Sequence, residues 1–142
     1  GYGEPVCRLN EVLEAARELE SIGLPRRLDT NGQGNLLHKR NIVPELEEVF
    51  ERISISLNAP DKASYAELCR PDLGGHAFDA VVEFIERAAA SRMECTVTAV
   101  DYRGVDIEAC RELVRPIEGA SFRVRRYRFT GDEGIAGAPF RC

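Results

Sequence analysis

Wherever this chain reads as a strand, apolar residues alternate with polar ones, and that alternation limits its fold more than any other feature. In Ile53-Ser54-Ile55-Ser56-Leu57-Asn58 the isoleucines and Leu57 point one way, and Ser54, Ser56 and Asn58 the other. Leu28 opposes Arg27, Asp29 and Asn31; Cys95, Val97 and Ala99 oppose Thr96 and Thr98; Phe122 and Val124 oppose Arg123, Arg125 and Tyr127. The strands Arg27 to Thr30, Ile53 to Leu57, Cys95 to Val100 and Phe122 to Tyr127 are separated by helical patterns. Such a repeat argues for a parallel sheet with right-handed crossovers. A doubly wound sheet has helices on both faces, so its strands read as continuous apolar runs, which these do not. The expected fold is therefore α/β, a partial (β/α) barrel of about four parallel strands with helices on the outer face. Its polar face lines a lumen, with functional residues at the C-terminal strand ends. A sheet whose second face is simply wet is the alternative.

The helices follow from periodicity and punctuation. Leu9, Val12, Leu13, Ala16 and Leu19 share one helical face, and Gly23 with Pro25 ends the pattern. Pro44 opens a helix to Phe50, Asp61 caps one through Leu68, and a longer one runs from Ala77 to Ala90 with Phe78, Val81, Val82 and Ile85 inward. A last helix covers Ile107 to Val114. Residues 1–129 form this unit, and 130–142 a glycine-rich tail.

Composition narrows the chemistry. The five cysteines, Cys7, Cys69, Cys95, Cys110 and Cys142, are scattered, so they form neither a disulfide framework nor a closely spaced metal or cluster site. They read as reduced thiols of a cytoplasmic protein. His38 and His76 sit in no metal-binding spacing; His38 reads as part of a solvated turn, and His76 as a helix cap. No metal ligand is expected within the chain. A net charge of -5 gives no sign of nucleic-acid binding, and no apolar run is long enough to span a bilayer.

Gly1-Tyr2-Gly3-Glu4-Pro5 is a turn directly before the first helix, with a glycine for close backbone approach, a carboxylate and a direction-setting proline. Alone, it reads more readily as a Gly-Pro turn with a solvated Glu. Together with Asp29-Thr30-Asn31-Gly32-Gln33-Gly34-Asn35 and Ser54-Ile55-Ser56-Leu57-Asn58-Ala59-Pro60, it resembles the radical S-adenosylmethionine superfamily. That superfamily carries a Gly-Gly-Glu-Pro motif at the end of its second barrel strand, and Gly3-Glu4-Pro5 matches it with Tyr2 in place of the first glycine. The combined wording is similar to a small subgroup associated with TatD-type hydrolases.

The resemblance runs from Gly1 to about Phe129 and implies a set of sites. Gly3, Glu4 and Pro5 would hold the amino group of the methionine moiety, with Asn31, Ser56 and Asn58 near the rest of the cofactor. Thr96 to Asp101 occupies the place of a backbone segment that contacts adenine. In the superfamily a four-iron-four-sulfur cluster gives one electron to S-adenosylmethionine, generating a 5'-deoxyadenosyl radical. The Cys-x-x-x-Cys-x-x-Cys that binds the cluster is absent here. The chain is thus expected to be the C-terminal part of such a barrel, inactive alone and unable to bind the cluster. The missing N-terminal part of the same protein would be its partner, and its strand at Arg27 to Thr30 an open edge suited to a homodimer.

Arg123, Arg125, Arg126 and Arg128 surround Tyr127 and suit a phosphate or carboxylate of substrate or cofactor, or equally discourage edge pairing. Asp29 and Asp101 are further substrate-binding candidates, and Asp29 is as well suited to a structural pair with a lumen arginine. The rival function is a non-enzymatic module binding a nucleotide-like ligand or a protein partner on the polar face.

Overall fold

The structure is a computed structural model describing residues 3–102 and 104–127. Gly1, Tyr2, Arg128 and the tail 130–142 lie outside the described residues. Four strands, β1 (Arg27–Thr30), β2 (Arg52–Ser56), β3 (Glu94–Asp101) and β4 (Ala120–Arg126), form one parallel sheet in sequential order. The fold is α/β and matches a partial barrel.

Among the described residues six α-helices cross between or precede these strands: α1 (Leu9–Glu18), α2 (Gly34–His38), α3 (Val43–Leu46), α4 (Lys62–Cys69), α5 (Ala77–Ala89) and α6 (Ile107–Val114). Right-handed crossovers between sequentially ordered parallel strands put the helices on one face. One core results. It joins Leu28, Ile53, Ile55, Val97 and Ala99 of the strands to Leu9 and Leu13 of α1, Val81, Phe84 and Ile85 of α5, and Cys110 and Val114 of α6.

The other face carries Arg27, Asp29, Ser54, Ser56, Thr96, Thr98, Arg123 and Arg125, as the alternation predicts. Its residues differ in exposure. Ser54 and Thr98 are buried while the arginines around them are exposed, because the short central side chains lie below their long neighbours.

Local chemistry explains the helix limits. Asp61 caps α4 by accepting from the backbone N–H groups of Ala63 (2.9 Å) and Ser64 (3.0 Å), which holds its carboxyl below the usual aspartate range. His76, expected to cap α5, occupies the N-cap position without a side-chain cap bond. The helix expected from Pro44 to Phe50 is regular only over Val43–Leu46; beyond it the chain continues in turns, with the Phe50 N–H donating to the Leu46 carbonyl oxygen (2.9 Å), before β2 begins at Arg52. Phe84, unmarked by the sequence reading, is fully buried on α5, whereas Val82 is half-buried. Leu19 is 50% exposed, where α1 ends at Glu18 and the chain tightens into a 3-10 turn over Leu19–Ile22. Cys69, Cys95 and Cys110 are buried and Cys7 is exposed. Burial pushes the Cys95 thiol up to about 11 and the Cys110 thiol to about 12, the latter helped by Asp106 and Asp61.

Candidate functional site

Glu4 is where the first motif meets the sheet. It stands as the N-cap of a 3-10 turn over Pro5–Arg8, and Pro5 suits the first position because that residue's N–H would have no partner there. Its Oε1 accepts from the Val6 backbone N–H (3.3 Å) and the Thr30 hydroxyl (2.7 Å), and its Oε2 accepts from the Asn31 backbone N–H (2.7 Å). Residues 26 and 27 positions apart in sequence are thereby fastened together at the C-terminal end of β1. Gly3 has φ +141°, and the space where a Cβ would stand is open.

The segment after β1 is built as tightly. Thr30 Oγ1 accepts from the Gly32 N–H (3.2 Å), and Asn31 Oδ1 accepts from the Gln33 N–H (2.9 Å), an Asx turn. Gly32, at φ +80°, passes so close to the helix layer that a Cβ would lie 2.9 Å from Ile55 Cγ2 and 3.2 Å from Val81 Cγ1. Gln33 is buried and its Nε2 donates to the Tyr65 hydroxyl (3.0 Å). His38 is not a solvated turn residue: it is half-buried with Nε2 2.7 Å from the Val6 carbonyl oxygen, a second tie between the first motif and this segment.

At the end of β2, Asn58 has φ +59° and is buried. Its Oδ1 accepts from the Val100 N–H (3.1 Å), so the side chain continues the ladder to β3. Asparagine tolerates this left-handed conformation better than most residues because its short amide bonds locally. Ser56, half-buried, is the last residue of β2. The register Thr30↔Ile55 brings the Asn31 position beside it.

The expected site residues therefore fall into two groups. Gly3, Glu4, Pro5, Asn31, Ser56 and Asn58 gather at the C-terminal rim of β1 and β2. Asp101, Arg123 and Arg125 lie on β3 and β4, in register with Arg126, Thr98 and Val100 respectively. Three strand spacings, about 14 Å, separate β1 from β4. Asp29 is lower on the polar face and is paired with Arg27 at 2.9 Å, the structural pair the sequence also allowed. Thr30, Gln33 and Tyr65 were missed. A threonine on the helix-facing side at a strand end, where only an apolar residue or a bonded one fits, was the available signal for Thr30; Gln33 and Tyr65 gave none.

Among the described residues no group of three or more His, Cys, Asp or Glu side chains is arranged to hold a metal ion. An iron-sulfur cluster does not fit them, since three of the described thiols are buried on three different elements, α4, β3 and α6, and no three ligands are grouped. The S-adenosylmethionine ammonium fits better. Glu4 Oε2 accepts one bond from the described residues and has a lone pair to spare for an ammonium.

Taken together, the sheet order and the rim define an α/β protein of the partial-barrel class with a polar rim at its strand ends. Among solved structures, the chain is similar to a domain of pyruvate-formate lyase-activating enzyme from Bacteroides vulgatus ATCC 8482. The two share 13% sequence identity and superpose with a TM-score of 0.57, over 88% of this chain and 96% of that one. At that identity the likeness shows a common fold. No protein-family model matches the chain, and no curated protein does. No helix among the described residues is long and apolar enough to cross a membrane.

Proposed function

We propose that the rim of β1 and β2 binds the methionine moiety of S-adenosylmethionine, and that the chain is part of a radical S-adenosylmethionine enzyme. The observation that carries this reading is the Glu4 network. Its bonds to Thr30 and Asn31 join the two motifs that resemble the superfamily at one strand end, with Ser56 beside them in register. The fold shared with a domain of an activating enzyme supports it.

The part played by this chain is binding and orientation. Glu4 Oε2 accepts from the ligand ammonium, a charge-assisted bond in a half-enclosed place. Ser56 offers a hydroxyl from the neighbouring strand, and Asn58 sets the path of the chain that leaves it. Of the substrate candidates, Arg125 lies on the polar face of β4, two strands from β2, where it suits a second molecule, whereas Asp101, in register with Arg126, falls on the helix-facing side of β3.

Calorimetric titration with S-adenosylmethionine tests the reading. Saturable binding is expected, weakened about tenfold or more in Glu4→Gln, which loses a charge-assisted bond, and a few-fold in Ser56→Ala. Wild-type affinity in both variants, or no saturable binding by the wild type, overturns it.

A further inference from the structure

The polar face holds a second concavity that the rim site does not use. It is a cavity of about 150 Å³ lined by Arg27, Arg52, Ser54, Glu94, Thr96 and Arg123, toward the N-terminal half of the strands. The register builds it in rows. Arg27, Arg52 and Glu94 form one row on β1, β2 and β3, Ser54 and Thr96 the next, and Arg123 of β4 stands beside Thr98 in the row above.

Three arginines against one glutamate leave the lining positive. Arg27 is paired with Asp29 (2.9 Å) and Arg52 with Glu94 (2.9 Å), both partly exposed. Arg123 has no carboxylate within ion-pair distance among the described residues, so its charge is uncompensated where it meets the cavity. The floor is polar. Ser54 is only 4% exposed, lines the cavity, and donates to no other described side chain or backbone oxygen. No buried side-chain oxygen among the described residues lacks a partner, so the Ser54 hydroxyl is one that opens into the cavity. Next to it Thr96 Oγ1 lies 3.1 Å from Ser121 Oγ, which itself donates to the Cys95 carbonyl oxygen (3.1 Å).

From these observations we propose that this cavity binds a phosphate group, as inorganic phosphate or the monoester end of a small metabolite. Guanidinium groups from two sides and hydroxyls from the floor approach from several directions, as a tetrahedral oxyanion can use and a planar carboxylate cannot. The volume suits a phosphate group. The site needs neither S-adenosylmethionine nor the rim residues, so it stands or falls separately from the proposed function.

The test is titration of the ¹⁵N-labelled chain with inorganic phosphate at constant ionic strength, followed by amide shifts. Saturable shifts are expected at Ser54, Thr96 and Arg123, weaker ones with acetate, and about tenfold weaker phosphate binding in Arg123→Gln. Ser54→Ala, which leaves all charges in place, is expected to weaken binding a few-fold. Arg87→Gln on α5 removes the same charge from the helix side and is expected to bind as the wild type does. Linear shifts without saturation, shifts confined to other regions, acetate binding as tightly as phosphate, or equal losses in Arg123→Gln and Arg87→Gln each overturn the proposal.

Discussion

Replacing Glu4 should cost stability as well as ligand, and the two variants Glu4→Ala and Glu4→Gln separate its anchoring bonds. Alanine removes both 2.7 Å bonds, from the Thr30 hydroxyl and the Asn31 N–H, and the weaker 3.3 Å bond from Val6. Bonds to a carboxylate contribute about 1.5–3 kcal/mol each when sheltered, but Glu4 is half-exposed and water repays part of each loss. With the lost N-cap included, about 2–4 kcal/mol is expected for Glu4→Ala. Glutamine keeps one oxygen, which serves Asn31, and turns its amide nitrogen toward Thr30. The Thr30 hydroxyl then accepts from that nitrogen while still accepting from Gly32, and only the weak bond from the Val6 N–H loses its acceptor, so the expected loss is about 1–2 kcal/mol. Urea denaturation with the slope unchanged reads both numbers from the midpoints. An alanine variant within about 0.5 kcal/mol of the wild type, or a glutamine variant as unstable as the alanine one, would refute the anchoring argument.

Gly119 has φ +85°, and a Cβ there would overlap the Ala89 carbonyl oxygen at the end of α5; Gly119→Ala should therefore lose about 2–4 kcal/mol, and an unchanged melting temperature would contradict this packing. Acid should weaken the fold through Glu51, whose carboxyl is held at about 2 by the Arg26 side chain (2.7 Å) and backbone N–H (2.6 Å). Because the folded value lies below the ordinary 4.5, that stabilisation is complete above about pH 4.5 and fades toward pH 2; urea midpoints should fall less between pH 5 and pH 3 in Glu51→Gln than in the wild type.

What the sequence determined by itself was the sheet and its sidedness. Side chains alternate strictly with a period of two, so Ser54, Thr96 and Arg123 had to share a face once the strands were placed, and sequential parallel order followed from strand-helix repetition. The grouping of the rim residues was legible too, because ends of neighbouring parallel strands are neighbours in space. Only the tertiary structure decided what those residues do for one another. Whether Glu4 faces solvent or spends its oxygens on Thr30 and Asn31 depends on a contact across 26 residues, and no local pattern encodes that. Gln33 meeting Tyr65 and His38 meeting Val6 are likewise bonds across 32 positions, fixed by helix packing that composition leaves open. The burial of Ser54 and the uncompensated charge of Arg123 arise the same way. Period-two alternation assigns a face, but the curvature of that face and the reach of the long side chains across it are set only when four strands lie side by side.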